Sequence, residues 1–409
     1  MYGWCTECRS FVLGSEHRCS IHGVVEPLLT FRGLEMWPLT PFEKHLINEH
    51  LQGLELGEGL FTVYNDRYKR RRLVTLDQPL VEIRMVKDRL WINPLATGRI
   101  EGIKIESLIT ANDERTKRMV ESSKYLAERE FQRSDRNALI SFSGGKDSVA
   151  LSHMLKGLGL KNVFVDTSIE FPETYRFFKS LKERGWDIDT VRAETKFFSL
   201  CPCMGFPTPG NRWCCKTQKF KPFEQYIRTH FGERKILVFE GTRRWESIHR
   251  LGEPAKREHW QICNQISVHP MLDWTAMDVW IYTWRHKLPI NEIYNYYDRA
   301  GCWPCPFGLV YRIFLMEYTH PKFFEFLKSI GAIPRFRNFS VKSCSEGKPM
   351  KHLVFSDKRL GNAVAKLLPS GLEIHENGGI ICVPARLSKK KIEMLVNKAN
   401  VNLVLGPAG

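Results

Sequence analysis

No apolar run in the 409 residues is long enough to cross a bilayer, so a spanning helix is not expected. The first residues, Met1-Tyr2-Gly3-Trp4-Cys5, lack the basic and apolar regions of a secretory leader. Together these absences place the chain in the cytoplasm, away from membranes. Internal repeats and low-complexity tracts are also missing, which argues against a repeat architecture. Acidic residues are few beside basic ones. The 45 Asp and Glu against 61 Lys and Arg leave a formal net charge of +16, which favours a polyanionic partner such as nucleic acid. The length suits two to four domains, and a hydrophobic content of 43% is enough to give them cores.

Cysteine is present and clustered. The chain has twelve, and reduced compartments favour metal binding over disulfides for such clusters. Cys5-x-x-Cys8 and Cys19-x-x-His22 have the spacing that closes around tetrahedral Zn²⁺, with His17 competing for the fourth place. So small a unit has little core, and metal would supply much of its stability. Cys214-Cys215 and Cys302-x-x-Cys305 supply four thiolates, whose spacing leaves zinc and an iron–sulfur cluster both open. Cys201-Pro202-Cys203 is either a sulfur-carrying or nucleophilic pair or a plain loop pair. Cys263, Cys344 and Cys382 stand alone.

Five segments are expected. Residues 1–30 form the zinc knuckle. Residues 31–111 are β-rich, with strands at Leu60–Asn65, Arg71–Leu76, Leu80–Val86 and Leu90–Asn93. Their basic run Arg67, Lys69, Arg70, Arg71 and Arg72 is either a nucleic-acid face of a PUA-like fold or a solvated surface. Residues 112–134 read as a charged helical linker. From 135 to 345 strands and helices alternate, with strands at Ala138–Phe142, Lys161–Val165, Ile188–Val191 and Ile236–Phe239. That alternation predicts an α/β, doubly wound parallel sheet. Residues 350–409 follow the order βαββαβ of a small ferredoxin-like α+β unit. Its elements are His352–Phe355, Leu360–Leu368, Leu372–His375, Ile380–Val383, Ser388–Asn400 and Val401–Leu405.

The strongest chemical signal follows the strand at 138. The loop Ser143-Gly144-Gly145-Lys146-Asp147-Ser148 leads directly into a helix from Val149. Glycines let backbone N–H groups approach a phosphate, and the helix start presents its positive end to the same anion. Ser143 and Ser148 add hydroxyls, Lys146 a point charge, and Asp147 orients Mg²⁺ or caps the helix. Downstream, Arg243, Arg244 and Arg250 are forked donors suited to phosphate or sulfate, with Glu246 able to hold one in place. Trp274 and Trp280 read as core residues.

This hexapeptide resembles the PP-loop of ATP pyrophosphatases. Val165-Asp166-Thr167 with Phe171-Pro172-Glu173-Thr174-Tyr175 resembles the second motif of the phosphoadenosine phosphosulfate (PAPS) reductase family. Gly241-Thr242-Arg243-Arg244, with Glu246-Ser247 and Arg250, resembles its arginine motif. Pro270–Trp274, Asp278-Val279-Trp280 and Leu288-Pro289-Ile290-Asn291 resemble the segment before its cysteine pair. The resemblance implies an adenine nucleotide alpha hydrolase-like core over about 135–310 that binds ATP, adenylylsulfate (APS) or PAPS. It implies nucleotide contacts from Ser143 to Ser148, Asp166, Thr167, Gly241, Arg243, Arg244 and Arg250, with Lys146, Asp147 and Arg250 catalytic. It also decides the four thiolates. Cys214-Cys215, with Lys216 and Lys219, and Cys302-x-x-Cys305 resemble the [4Fe-4S] signature of APS reductases.

Two departures bear on the reaction. The C-terminal Glu-Cys-Gly of the reductases is absent, and Ser343-Cys344-Ser345-Glu346-Gly347 matches it only loosely. The loop is also complete, as in ATP-cleaving members. The expected reaction is therefore ATP-dependent adenylation and thiolation of a nucleic acid such as tRNA. It would use Mg²⁺, Zn²⁺, the cluster, and a sulfur donor or thiol reductant protein, with Cys201 and Cys203 as sulfur carriers. A homodimer is allowed. The alternatives are a reductase releasing sulfite from APS or PAPS, and a nucleotide-binding regulatory protein without turnover.

Overall fold

The stretch Ala138–Ser141 (β1) is apolar toward both sides, as a strand covered on both faces requires. It sits in the middle of a six-stranded sheet with Lys161–Asp166 (β2), Ile188–Arg192 (β3), Ile236–Phe239 (β4), Lys256–Glu258 (β5) and Gln265–Val268 (β6). The order is β3-β2-β1-β4-β6-β5, parallel throughout except for β5, which runs antiparallel at one edge. The four expected strands are β1 to β4; β5 and β6 were not anticipated.

Alternate residues of each strand enter different cores. Ile140, Phe164 and Leu237 pack with Val149, Leu151, Phe177, Phe178 and Val279 on one face. Leu139, Val163, Ile236 and Val238 pack with Phe223 and Ile227 on the other. Trp274 and Trp280 are buried, as expected of core residues. The sheet is thus an α/β, doubly wound, PP-loop type core. The strand order reverses between β1 and β4, where an open parallel sheet forms its binding crevice at the carboxyl ends.

The computed structural model describes residues 2–28, 35–65, 71–86, 89–135, 137–306, 310–329, 350–354 and 380–384. The chain divides into two units. One comprises Met1–Arg192 and Phe220–Trp303, the other Ala193–Lys219 and Pro304–Gly409.

In the first unit, Tyr2–Cys5, Ser10–Leu13 and Glu26–Pro27 form a three-stranded sheet. Strands Trp37–Pro38, Thr62–Asn65, Arg71–Thr75, Pro79–Val86 and Arg89–Pro94 form a five-stranded antiparallel sheet. The helix expected within 112–134 spans Asp113–Gln132. Its Ser123 hydroxyl donates to Pro270 O at 2.7 Å and accepts the Trp274 indole N–H at 3.0 Å. The helix is therefore packed onto the sheet domain rather than spanning solvent.

The second unit contains helices Phe197–Met204, Val310–Thr319 and Pro321–Ser329. Strands Met350–Val354 and Ile380–Pro384 pair antiparallel. The expected elements Leu360–Leu368, Leu372–His375, Ser388–Asn400 and Val401–Leu405 lie outside the described residues, as do Cys344, Arg67, Lys69 and Arg70. No helix among the described residues is long and apolar enough to cross a membrane.

Candidate nucleotide site and metal centres

The phosphate loop leaves the carboxyl end of β1 at the switch point. Gly144 has φ +68°, and a Cβ there would meet the Phe178 ring at 2.8 Å, so the turn requires glycine. Gly145 caps the helix Lys146–Met154 (α1) without a side-chain acceptor. The loop closes on Ser148, whose hydroxyl donates to Gly145 O at 2.9 Å and accepts the Ser143 N–H at 3.2 Å. The Lys146 N–H donates to the Tyr294 hydroxyl at 2.9 Å. Asn291 supports the same turn by donating to Gly144 O at 3.4 Å, and it also donates to Thr174 Oγ at 3.1 Å.

Behind the loop lies a chain of buried charges. Lys146 Nζ donates to Asp147 Oδ2 at 2.8 Å, and Arg243 Nε donates to Asp147 Oδ1 at 2.6 Å. The far edge of the Arg243 guanidinium donates to Glu35. Glu35 Oε1 also accepts the Ala276 N–H at the start of the helix Ala276–Arg285, at 2.6 Å. Arg243 is 2% exposed and Glu35 1% exposed, so both are withdrawn from solvent. Burial works against the Asp147 charge, but Arg243 and Lys146 overcome it and hold the carboxyl well below the usual carboxylate range. Gly241 permits the approach of the two motifs, since a Cβ there would lie 3.0 Å from the Asp147 backbone.

The other motif residues are distributed around this centre. Asp166 accepts the Ser168 N–H and the Tyr175 hydroxyl, each at 2.9 Å, and Arg192 Nε at 2.7 Å. Thr167 Oγ donates to Glu170 Oε1 at 2.9 Å and lies 3.5 Å from Cys302 Sγ. The second motif and Cys302 therefore meet. Arg244 Nε pairs with Asp273 at 2.5 Å, and Arg250 with Glu246 at 2.8 Å. Arg244 and Arg250 remain partly exposed, unlike Arg243.

Cys5, Cys8, Cys19 and His22 bring four ligand atoms within 4.8 Å of one another. Cys8 Sγ lies 3.3 Å from His22 Nδ1 and 3.7 Å from Cys19 Sγ, and the Cys8 N–H donates to Cys5 Sγ at 3.4 Å. Three thiols and one imidazole nitrogen at these separations fit a tetrahedral zinc ion. The unit docks through Asn112, which accepts the Leu13 N–H and donates to Phe11 O, each at 2.8 Å.

Of the four remaining predicted ligands, Cys302 belongs to the first unit and Cys214, Cys215 and Cys305 to the second. A hydrogen bond with Cys214, opposed by burial and aided by Lys219 and Arg212, pulls the Cys215 thiol down to about 6. Cys201 and Cys203 share the short helix Phe197–Met204, Cys203 exposed and Cys201 partly buried with its thiol pushed up by burial.

Sequence reasoning missed Glu35 and Tyr294. Glu35 stands in Leu34-Glu35-Met36-Trp37, with nothing to pair it with a residue some two hundred positions away. Tyr294 follows the recognised Leu288–Asn291 segment and carried no motif of its own.

A parallel sheet reversing at β1 and β4, with a glycine loop and helix start at the reversal, is the arrangement of a PP-loop fold. Residues 137–307 match the family model described as the phosphoadenosine phosphosulfate reductase domain. An uncharacterized protein of Methanocaldococcus jannaschii is 29% identical over 240 residues, covering 57% of each chain. The adenosine 5'-phosphosulfate reductase of Bacillus cereus strain AH187 is 27% identical over 179 residues, 40% of this chain and 70% of that one. The chain spans about half the length of the first curated relatives it matches. Among solved structures, the U34-tRNA thiolase NcsA from Methanococcus maripaludis with its [4Fe-4S] cluster aligns at 15% identity. Its TM-score is 0.32, over 58% of this chain and 83% of that one.

Proposed function

We propose that the chain is an ATP-cleaving enzyme that adenylates a carbonyl oxygen in a nucleic acid of tRNA type and exchanges it for sulfur. The observation that carries this reading is the complete loop Ser143–Ser148, closed on itself and backed by Lys146, Asp147 and Arg243. ATP presents a β,γ-pyrophosphate that the glycines, Lys146 and the start of α1 can hold together. APS has no such group, and PAPS carries its extra phosphate on the ribose.

The carbonyl oxygen bonds to the α-phosphorus and pyrophosphate leaves, its charge stabilised by Lys146 and the helix terminus. A persulfide sulfur then bonds to the carbon, and AMP leaves with the oxygen. Cys201 and Cys203 are assigned as the sulfur carriers. One bears the persulfide; the other attacks its S–S bond, leaving the sulfur on the base and a disulfide for an external thiol to reduce. Asp147 and the phosphates suit Mg²⁺, which prefers a carboxylate or two plus substrate oxygens. Cys214, Cys215, Cys302 and Cys305 would hold a [4Fe-4S] cluster, which when bound supplies iron able to ligate a sulfur anion. The net charge of +16 supports a nucleic-acid substrate, and the zinc knuckle and β-rich region are assigned to its recognition.

The test incubates anaerobically purified protein with ATP, APS and PAPS separately, with and without tRNA. AMP and pyrophosphate from ATP, with sulfur entering the RNA, support the reading. Sulfite from APS or PAPS with a thiol donor supports the second reading, a sulfonucleotide reductase, which the similarity to the Bacillus reductases favours. Tight nucleotide binding without turnover supports a regulatory protein.

A further inference from the structure

The matched family domain begins at residue 137, yet the buried charge chain behind its phosphate loop ends on a carboxylate a hundred residues earlier. Glu35 occupies the far edge of the Arg243 guanidinium, and its Oε1 also accepts the Ala276 N–H at 2.6 Å. It is fixed between a side chain of the arginine motif and the start of a helix. The neighbouring Met36 N–H donates to the Tyr2 hydroxyl at 3.1 Å, tying the segment to the three-stranded N-terminal sheet. Arg243 in turn spends its Nε on Asp147. Lys146 and Arg243 are thus matched by Asp147 and Glu35, two charges of each sign. Removing the Glu35 charge leaves Asp147 as the carboxylate hydrogen-bonded to Arg243, with the Trp274 carbonyl at 3.4 Å, and the buried guanidinium then draws more strongly on Asp147.

We propose that Glu35 is a positioning residue of the nucleotide site: it anchors Arg243 so that Asp147, whose oxygens accept from Lys146 and Arg243 and which would hold Mg²⁺, is not drawn away from the phosphate loop. The N-terminal region then completes the nucleotide centre rather than serving only as an appended recognition module. This rests on the reading of Ser143–Ser148 as an ATP site.

The test measures binding of a non-hydrolysable ATP analogue to the full-length chain by calorimetry, with and without Mg²⁺, for wild type, Glu35→Gln and Glu35→Asp. Glu35→Gln should bind the metal-free analogue at one per chain with affinity within about threefold of wild type. Mg²⁺ should tighten wild-type binding about tenfold and leave Glu35→Gln within about threefold of its metal-free value. AMP formation per analogue-binding chain should fall about tenfold in Glu35→Gln, and Glu35→Asp, which keeps the charge, should recover part of both effects. Unchanged Mg²⁺ enhancement in Glu35→Gln overturns the proposal. So does a joint fall of metal-free affinity and melting temperature, which marks a purely structural role. If Glu35→Gln does not fold, Glu35→Asp decides alone: it should fold and show reduced Mg²⁺ enhancement, and full enhancement overturns the proposal. If wild type makes no AMP, the ATP-cleavage reading fails while the Mg²⁺ dependence of binding still decides the role of Glu35.

Discussion

Arg72 Nε donates to Glu43 Oε1 at 2.7 Å, with both side chains almost wholly buried. Its NH1 reaches Asp298 at 3.0 Å. Glu43 is meanwhile committed to the start of the helix Pro41–His50, accepting from the Thr40 N–H and hydroxyl. Arg72 therefore ties the antiparallel sheet to two other segments and is withdrawn from the surface that its basic run suggested. Arg72→Ala should cost about 3–5 kcal/mol of stability, because it strands a buried carboxylate. Tertiary melting should show the loss. RNA affinity, measured where the variant is folded, should keep its salt dependence; a flattened salt slope would return Arg72 to the nucleic-acid face.

The two metal centres should respond independently. The four ligand atoms of Cys5, Cys8, Cys19 and His22 lie together in the first unit. Serine at Cys5 or Cys8 should remove about one zinc per chain and leave any iron chromophore unchanged. Serine at Cys214, Cys215, Cys302 or Cys305 should bleach the brown colour of anaerobic protein and leave zinc in place. Elemental analysis beside visible absorption reads both. Zinc content unmoved by the first set sinks the knuckle ligands, and iron-free wild-type protein after anaerobic reconstitution sinks the cluster.

Local patterns made much of the fold legible. Apolar runs at 138–142 and 236–239 could only be strands covered on both sides, and glycines after the first could only serve a turn. The strands of the antiparallel sheet were also marked by their turns. Arg72 and Glu35 show where this ends. A basic run looks the same whether its members face water or a carboxylate 29 positions away. Glu35 acquires meaning only when the fold brings it to Arg243. Trp260, 63% exposed, shows the converse, since an aromatic residue between His259 and Gln261 gives no local sign of standing in solvent.

His153 on α1 supplies a pH signature. Its Nδ1 lies 2.9 Å from the Tyr282 hydroxyl, and its ring is 5.1 Å from that of His286. Burial, with Lys156 and Lys124, lowers the His153 pKa; burial and His153 itself lower that of His286. Both groups protonate less readily in the folded chain than in the unfolded one. Stability is therefore full above the unfolded value, near 6.5, and falls as pH drops below it toward the folded values. Chemical denaturation at intervals from pH 7.5 to 5 should show that decline, and His153→Gln should flatten it. An unchanged slope in the variant would assign the decline to other groups.

Lys146 separates the enzymatic readings most directly. Its ammonium is buried at the start of α1 and paired with Asp147, beside the backbone groups that would meet a pyrophosphate. Removing it withdraws one charge-assisted contact, a loss on the order of 1.5–3 kcal/mol or roughly ten- to a hundredfold. Lys146→Ala should lower AMP and pyrophosphate formation by about that factor. Asp147 keeps Arg243 as a partner, so the folded state should survive, and Lys146→Met tests whether lost volume rather than lost charge is responsible. Colour from a cluster should not change, since the cysteines lie elsewhere in the sequence. Arg250→Ala should also slow turnover, but an arginine for anionic oxygens serves either enzyme and does not discriminate. Sulfite formation from APS or PAPS by the wild type, without ATP cleavage even when tRNA is present, would end the thiolation reading. Cys344 would then become the first thiol to replace, despite flanking residues that match the reductase segment only loosely.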